Sequence, residues 1–403
     1  MLLTDFARSQ RLENIDIAND FGIYIHVPFC LRRCRYCAFV SSVWREVPSE
    51  LYANAICREF DIRCHSFDNA HLTTIYFGGG TPSILNDHAL ETILSHIRER
   101  YPAPLEITLE ANPEHITPQR SQHWKQQGFT RISLGIQSFD NQMLEFLGRR
   151  HTGSDAQKAI EILTTAGFDE ISIDLIYGAR ISDETSDAQA YHQWMQDLGV
   201  ARSMNVSHVS CYELTPEEFT PLCTAQKRGH TILCSDDAIA DMMSVIPEAL
   251  NMTRYEISNY SRNDYYSRHN LSCWAGVPYL GLGPGAHSLI KSDHAIERRA
   301  NTDRIRDWLR AFESHSPFPE PLFTETLTPQ THLAERLMCA ARTRFFWSPQ
   351  EMARRLDTPI APFIPAIDKA VHLELLAFGP DQTYRTTSLG MALNNRLAQL
   401  FFD

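Results

Sequence analysis

The chain has 403 residues, which is enough for one large domain or for a large domain with a smaller one. Its formal net charge of −12 argues against general nucleic-acid binding, which requires a basic surface. No apolar run reaches the roughly 18 residues of a membrane-spanning helix, and the amino terminus lacks the layout of a secretory signal, so we expect a cytoplasmic protein without membrane spans.

Short runs of β-branched and aromatic residues alternate with longer segments of helical period. The runs that predict strands are 22–27, 73–77, 105–110, 131–135, 171–176 and 206–212. The segments that predict helices are 49–68, 87–100, 118–127, 155–166 and 186–198, and the glycines expected to end three of them are Gly128, Gly167 and Gly199. This alternation predicts an α/β fold with a parallel sheet and right-handed crossovers. Six such units favour a partial (βα)6 barrel, with an open doubly wound sheet as the alternative.

The strand–helix alternation weakens beyond about residue 213. Residues 236–250 predict a helix, and residues 253–290 predict loops around short strands, because they are rich in Tyr, Asn, Ser and Gly. From residue 300 we expect a smaller, mainly helical unit that ends in a hairpin and a helix, as a winged helix does. The predicted segments are an extension at 1–20, the barrel at 21–250, a loop-rich segment closing the barrel at 251–299, and a C-terminal domain at 300–403.

Three cysteines stand close together directly after the first predicted strand. Cys30, Cys34 and Cys37 have the spacing CxxxCxxC, which can bring three thiolates around one face of an iron–sulfur cluster. Three protein ligands leave one iron of a four-iron cluster free to chelate a small molecule. A zinc site of the same cysteines with His26 is the alternative, although His26 lies inside the strand.

Polar and glycine residues collect where the other predicted strands end. They are the run 78–82 (GGGTP), Glu110, Gln137, Arg149, Asp174 and Tyr212. Because barrel enzymes build their sites at the carboxyl ends of the strands, these residues are expected to share one mouth of the barrel with the cysteine loop.

Several strings in the chain carry a family resemblance. They are YIHVPFCLRRCRYC, YFGGGTPSIL, LEANPE, RISLGIQSFD, LGRRH and IDLIYG. They resemble the radical S-adenosylmethionine (SAM) superfamily and, within it, the oxygen-independent coproporphyrinogen III oxidase-like family, on the side of the haem chaperone HemW group. The resemblance implies a [4Fe–4S] cluster on Cys30, Cys34 and Cys37, a SAM molecule chelated through its amino and carboxylate groups, and a C-terminal domain of the HemN type. The positions that match SAM contacts of this family are Tyr24, Tyr36, Gly80, Thr81, Glu110, Gln137, Arg149, Asp174 and Tyr212.

Two departures from the family patterns help to choose between its members. The dehydrogenases of this family usually carry a fourth cysteine two residues after the third, where this chain has Phe39. The chaperone group usually carries a haem-linked His-Asn-x-x-Tyr-Trp motif, where this chain reads HNLSCW at 269–274. His269 and Cys273 are therefore the candidate haem ligands, since both residue types serve as axial ligands. An ordinary packed loop is the alternative for this string.

The resemblance and these departures favour a haem chaperone that binds a [4Fe–4S] cluster, SAM and haem and passes haem to an acceptor protein. The alternative is an enzyme, the oxygen-independent coproporphyrinogen III dehydrogenase of porphyrin biosynthesis, and no catalytic residue is assigned. A DNA-binding regulator is disfavoured by the acidic balance. The basic residues Arg32, Arg33 and Arg35 suit haem propionates or an acidic reductant of the flavodoxin type, or a solvated surface.

Overall fold

The computed structural model describes residues 11–12, 15, 17–291, 295–313 and 319–402. Most of the predicted amino-terminal extension, namely residues 1–10, 13, 14 and 16, lies outside the described residues. No helix within the described ranges is long and apolar enough to cross a membrane.

The six predicted strands form a parallel sheet in their order along the chain. They are β1 (Asp20–Val27), β2 (His71–Gly79), β3 (Glu106–Ala111), β4 (Arg131–Gln137), β5 (Glu170–Tyr177) and β6 (His208–Glu213). Each strand pairs in parallel with the next. Because the order never reverses, right-handed crossovers place all the connecting helices on one face of the sheet. The partial barrel is thereby confirmed, and the doubly wound alternative, which needs a reversal of strand order, is wrong.

Five helices around the sheet agree with the predicted segments except at some ends, two short helices were not predicted, and the helix predicted at 236–250 is divided into two. The helices are α1 (Ser49–Arg63), α2 (Asp87–Arg100), α3 (Pro118–Gln127), α4 (Asn141–Leu147), α5 (Gly153–Thr165), α6 (Asp187–Ser203), α7 (Pro221–Lys227), α8 (Asp236–Ser244) and α9 (Ile246–Leu250). Gly128 and Gly167 follow their helices with positive φ, as predicted. Gly199 was wrongly expected to end α6, since Leu198 and Ala201 beside it are buried and their packing carries the helix to Ser203.

The sheet is wider than the sequence predicts, because short strands extend it at both edges. The additional strands are β7 (Thr253–Arg254), β8 (Asn259–Ser261), β9 (Tyr279–Leu282), β10 (His287–Lys291), β11 (Ile296–Ala300) and β12 (Phe323–Leu327). The order is β12-β11-β10-β9-β1-β2-β3-β4-β5-β6-β8-β7, so β9 pairs in parallel with β1. Two of these strands, β11 and β12, reach beyond residue 299, where the C-terminal domain is predicted to begin.

One segment expected to be a loop is a helix. Residues Arg268–Ala275 form α10, capped by the Ser267 side chain at its start and by left-handed Gly276 at its end. The expectation of loops here was wrong because Asn, Ser and Cys weaken a helix in isolation, whereas Leu271 and Ala275 are buried and stabilise this one through packing.

Most of the rest of the chain packs around a second hydrophobic core. Helix α11 (Ile305–Glu313) packs on α1, and its Trp308 and Leu309 belong to the first core, that of the sheet. The helices of the second core are α12 (Pro329–Ala340), α13 (Pro349–Arg355), α14 (Ile364–His372), α15 (Ser388–Ala392) and α16 (Asn394–Gln399). The predicted hairpin is present as β13 (Leu376–Phe378) and β14 (Tyr384–Thr386), and helices follow it as expected. Leu271 and Ala275 of α10 belong to this second core, so α10 joins the C-terminal helices to the sheet.

Alternation along the strands separates the hydrophobic core from a polar barrel interior. In β1, Ile23, Ile25 and Val27 are fully buried in the core cluster that also contains the surrounding helices. Tyr24 and His26, at the intervening positions, point to the opposite face. The barrel interior therefore carries aromatic, polar and charged groups, and these can serve a ligand at the mouth.

Candidate functional site

A cavity of about 480 Å³ lies at the carboxyl ends of the parallel strands. Its walls include all three cysteines of the CxxxCxxC loop and eight of the nine predicted SAM contacts. These eight are Tyr36, Gly80, Thr81, Glu110, Gln137, Arg149, Asp174 and Tyr212. Residues separated by up to 182 positions thus meet at one mouth (212 − 30 = 182), as the positions of the strand ends predict.

The cysteine loop is tied to the barrel by contacts of its sulfur atoms. Cys30 is buried, and its Sγ lies 3.6 Å from Thr81 Oγ1, which donates to it. Arg149 Nη1 donates to Cys34 Sγ at 3.4 Å. Burial raises the pKa of the Cys30 and Cys37 thiols above the ordinary value. The thiols therefore need a positive or metallic partner before they ionise at neutral pH.

Gly80 is a close-approach position beside this loop. A Cβ atom added to Gly80 would lie 2.8 Å from the Phe29 carbonyl oxygen and 3.0 Å from Cys30 Sγ. Any side chain here would displace the cysteine loop, so the bare backbone is required for the cysteines to sit against β2.

Arg149 is the cation of the cavity wall. Its Nη2 donates to Asn112 Oδ1 at 2.7 Å and to the Gly135 carbonyl oxygen, while Nη1 contacts Cys34. Its Nε is buried and has no hydrogen-bond partner in the described part of the chain. A buried guanidinium with an unused donor is suited to an anionic ligand such as a carboxylate.

Two carboxylates face the same cavity. Glu110 accepts a hydrogen bond from Tyr76 Oη at 2.8 Å and another from the Gly79 backbone N–H at 3.2 Å. Burial and the negative charge of Asp174 raise the pKa of Glu110 to about 7. Burial raises the pKa of Asp174 to about 6. Both acids can accept hydrogen bonds from the ammonium or hydroxyl groups of a ligand once they are ionised.

Gln137 adopts an unusual backbone conformation in the cavity wall. Its φ is +73°, in the left-handed region, and the β4–β5 register shifts between Gly135 and Gln137. Such a conformation is uncommon for a side chain of this size, and strained residues of this kind concentrate at functional sites. The bulge also bends the end of β4 at the cavity.

Tyr24 is the one predicted SAM contact that does not line the cavity. Its ring is stacked with that of Tyr76 at a centroid distance of 6.1 Å, and its hydroxyl is 3.1 Å from His26 Nδ1. The other ring nitrogen of His26, Nε2, is 2.7 Å from the Val40 carbonyl oxygen. Because both ring nitrogens of His26 are engaged, the zinc alternative loses its fourth ligand. In the ranges that the structure describes, no group of three or more His, Cys, Asp and Glu side chains is arranged as a metal site, so the three loop cysteines line one cavity but would have to draw closer together to hold a metal or a cluster.

The two haem candidates lie away from the mouth of the barrel. His269 is buried, and its Nδ1 is 2.9 Å from Thr74 Oγ1 in the amino-terminal half of β2. Cys273 stands one helical turn further along α10 and is half-buried on the side of α12. The structure thus does not bring His269 and Cys273 together with the cysteine loop.

The sequence analysis assigned no contact to three residues that line the cavity, although the run 78–82, which contains Gly79, was expected at the mouth. Asn112 holds Arg149, while Gly79 holds Glu110 through its backbone N–H, and Ser133 also lines the wall. Asn112 and Gly79 stand within strings already marked by the family resemblance, so their position next to predicted contacts was the available signal. Ser133 carries no signal, because a serine inside a strand is most often a structural residue.

The residues present fit an iron–sulfur cluster together with SAM. Three thiols line one cavity, Gly80 leaves room beside Cys30, and Arg149 offers an unpaired buried donor next to Cys34. This donor set combines soft sulfur ligands with a cation and two acids, which suits a cluster and a zwitterionic cofactor.

Comparison with known proteins agrees with this geometry. The sequence model of the Radical SAM superfamily matches residues 24–187. The "Heme chaperone HemW" of Lactococcus lactis is 32% identical over 326 residues, covering 80% of this chain and 81% of that protein. The protein of the same description from Escherichia coli is 33% identical over 296 residues, covering 72% and 75%.

Solved structures give the fold independently. The structure of coproporphyrinogen III oxidase (HemN) from Escherichia coli, described as a radical SAM enzyme, superposes with a TM-score of 0.77. It covers 99% of this chain and 92% of that chain at 19% identity, so it shows the fold alone. With the matches over most of the length of the HemW proteins, these findings show that the chain belongs to the radical SAM superfamily and, within it, to the HemN-like family that includes HemW.

Proposed function

We propose that this protein is a haem chaperone that holds a [4Fe–4S] cluster on Cys30, Cys34 and Cys37, binds SAM in the adjoining cavity, and passes haem to an acceptor protein. The observation that carries the proposal is the cavity itself, which gathers the three thiols and eight predicted SAM contacts. The relatives that match most of this chain are described as haem chaperones, which supports the haem part of the proposal.

The cavity residues divide the recognition of SAM among them. The free Nε of Arg149 pairs with the methionyl carboxylate, and the backbone of Gly80, which lines the cavity beside Cys30, faces the amino group. Glu110 and Asp174 accept hydrogen bonds from the ammonium or the ribose hydroxyls. Tyr212, which is 43% exposed at the rim, offers its ring as a wall for the adenine.

The chain's own groups also prepare the site for one-electron chemistry. A bound [4Fe–4S] cluster supplies the electron that cleaves SAM in this superfamily. Arg149 donates to Cys34 Sγ at 3.4 Å and so holds the middle cysteine of the loop against the wall of the cavity. Arg32 and Arg33 are exposed at the cavity rim, where an acidic reductant of the flavodoxin type or a haem propionate can meet them.

The position of Phe39 distinguishes the proposed chaperone from a dehydrogenase. Phe39 lines the mouth of the cavity and is 67% exposed, at the position where the dehydrogenases of the family carry a further cysteine. An exposed aromatic ring provides an apolar surface for a flat macrocycle but no thiol. All ten cysteines of the chain are unpaired, which suits a reducing compartment such as the cytoplasm.

The test is a haem titration of the anaerobically reconstituted protein, followed by absorption spectroscopy. We expect saturable binding of one haem per chain and transfer to an apo-haem protein in the presence of SAM. In a parallel reaction with reductant, SAM and coproporphyrinogen III, mass spectrometry should show no loss of carboxyl groups. Decarboxylated product would establish the dehydrogenase instead, and absence of haem binding by a protein with an intact cluster would end the chaperone proposal.

A further inference from the structure

We propose that His269 is a positioning residue for the Glu110 carboxylate, acting through the ring of Tyr76, and is not a haem ligand. The inference rests on the part of the proposed function that places SAM in the cavity, and it assigns to the HNLSCW string a task inside the barrel. Three consecutive contacts carry it, from the barrel floor to the cavity wall.

The first contact fixes the imidazole of His269. Its Nδ1 is hydrogen bonded to Thr74 Oγ1 at 2.9 Å, and its backbone N–H donates to Glu106 Oε1 at 3.0 Å. The N–H of Arg268 donates to the other oxygen of Glu106 at 2.9 Å, so this carboxylate caps the start of α10. The His269 side chain is 6% exposed and is held at both its backbone and its ring.

The second contact is between aromatic rings. The His269 ring stacks on Tyr76 at a centroid distance of 4.9 Å and an interplanar angle of 29°. Tyr24 lies near both rings, at 6.1 Å from Tyr76 and 6.4 Å from His269. A stacked ring confined in this way has little freedom to tilt, because interiors are closely packed.

The third contact reaches the cavity. Tyr76 donates its hydroxyl hydrogen to Glu110 Oε1 at 2.8 Å, and the Gly79 N–H donates to Oε2 at 3.2 Å. Gly78 keeps this corner open, since a Cβ atom there would lie 2.9 Å from each of Tyr24 and Tyr76 and 3.2 Å from Glu110 Oε1. The orientation of Glu110 therefore depends on where the Tyr76 ring is held.

The remaining residues of the string also have structural partners. Leu271 is buried in the C-terminal core, and the Trp274 ring lies under the Arg342 guanidinium at 4.7 Å. Helix α10 packs against both β2 and α12. Haem ligation by His269 would require the macrocycle to reach the Nε2 atom of a buried ring that is stacked on Tyr76, whereas Cys273 on the α12 side of the helix remains a candidate ligand.

The experiment compares three variants of the full-length protein. His269→Ala removes the ring, Tyr76→Phe removes the hydroxyl donor, and the matched control His269→Phe/Thr74→Val keeps a ring while removing both ends of the buried hydrogen bond. Hydrogen–deuterium exchange of the Gly79 amide reports the Glu110 position without SAM, and the Phe129 amide, bonded to the Trp124 carbonyl, serves as a remote reference. SAM affinity and haem binding are measured on the reconstituted protein.

We expect His269→Ala and Tyr76→Phe to speed exchange at Gly79 but not at Phe129, and to weaken SAM binding about tenfold, as loss of supporting contacts around ligand-binding groups does. The control variant should restore both and keep haem binding. Unchanged Gly79 exchange in His269→Ala, or selective loss of haem binding in the control variant, would overturn the inference. If the wild-type protein failed to bind SAM, the proposed function would fail, and Gly79 exchange would still decide this inference.

Discussion

The two ends of the barrel interior use the same kinds of charged residue in opposite ways. At the floor, Glu106 accepts hydrogen bonds from two backbone N–H groups of α10, and Arg131 pairs with Glu170 at 3.3 Å. His208 lies between Ser172 and Tyr255, at 2.7 and 2.8 Å. The charged and polar groups of the floor are thus partners of one another, and the exception is the Nη2 atom of Arg131, which has no hydrogen-bond partner among the described residues.

At the mouth, charged groups of the same type face an open cavity. Arg149 keeps an unpartnered Nε, and burial raises the pKa of both Glu110 and Asp174. The comparison teaches that burial of charge alone does not mark a functional site. Buried charge that lacks a partner and also faces a cavity, as Arg149 does and Arg131 does not, marks the end of the barrel where a ligand completes the set.

The largest effect is expected when the three cysteines at the mouth are replaced, and a cysteine elsewhere in the chain provides the control. Replacing Cys30, Cys34 and Cys37 together by serine should abolish the broad visible absorbance of the reconstituted cluster, because hydroxyl groups are poor iron ligands at neutral pH. The matched control is Cys57→Ser in α1, which should retain the full absorbance per chain. Iron and sulfide analysis checks both variants, and a cluster that survived the triple replacement would disprove the assignment.

Two arginines test the comparison directly. Arg149→Met should weaken SAM binding by about 30-fold or more, because the ligand carboxylate loses its cation, and should lower the free energy of unfolding by about 1–2 kcal/mol, because Asn112 Oδ1 and the Gly135 carbonyl oxygen lose their donor. Arg131→Met should lower the free energy of unfolding by about 2 kcal/mol, because it removes the more deeply buried of the two arginines that pair with Glu170 and leaves only Arg268. Isothermal titration and urea unfolding measure the two effects. Equal losses of SAM affinity in both variants would break the distinction between mouth and floor.

The two carboxylates at the mouth, Glu110 and Asp174, predict how the stability of the protein depends on pH. The pKa values of Glu110 and Asp174 are about 7 and about 6 in the folded chain, above the ordinary 4.5 and 3.8. The folded chain therefore binds more protons than the unfolded chain between about pH 4 and pH 7, so the contribution of these groups to stability falls as the pH rises.

Glu110→Gln should remove part of that slope and raise the free energy of unfolding at pH 8 by about 1–2 kcal/mol. The paired floor variant, Glu106→Gln, should lower stability by a similar amount at every pH, because one of its two acceptor oxygens becomes a donor facing a backbone N–H. Urea unfolding from pH 5 to pH 8 distinguishes the two. A Glu110→Gln curve parallel to that of the wild type would contradict the raised pKa.

The smallest expected effect belongs to Asn112, which contacts Arg149 at the mouth. Asn112→Ala removes one hydrogen bond to the guanidinium, at 2.7 Å, and should weaken SAM binding about threefold to tenfold. Asn112→Asp is the informative companion, because the added negative charge competes with the SAM carboxylate for Arg149 and should weaken binding further. Binding of either variant at wild-type affinity would show that Asn112 is dispensable for orienting Arg149.

Much of the sheet and the site was predictable because the sequence patterns that mark the strands and their ends extend over only a few neighbouring residues. Strand ends such as Glu110 and Asp174 stand at the change from β period to loop, and parallel strands bring such ends together. The pairing of β9 with β1 was not predictable in this way, because strands about 250 residues apart share no local pattern.

The sequence analysis misplaced Tyr24 and His269 for the same physical reason, because tertiary packing decides where each side chain lies. Tyr24 was expected at the cavity because it matches a family position, yet it lies within the ring stack below Glu110. His269 was expected to be available to haem because it matches the haem-linked motif of the chaperone group. Its burial depends on the docking of α10 against β2, a tertiary contact that the sequence of α10 does not encode by itself.

The parallel pairing of β9 with β1 also has a consequence for synthesis on the ribosome. β1 ends at Val27, while its outer neighbour ends at Leu282, so one edge of β1 has no native partner while about 255 residues are made (282 − 27 = 255). At about 5–20 residues per second this interval lasts roughly 10–50 s. During that time the nascent chain presents an open strand edge next to the three thiols, so insertion of the cluster before release would have to proceed on an incomplete barrel.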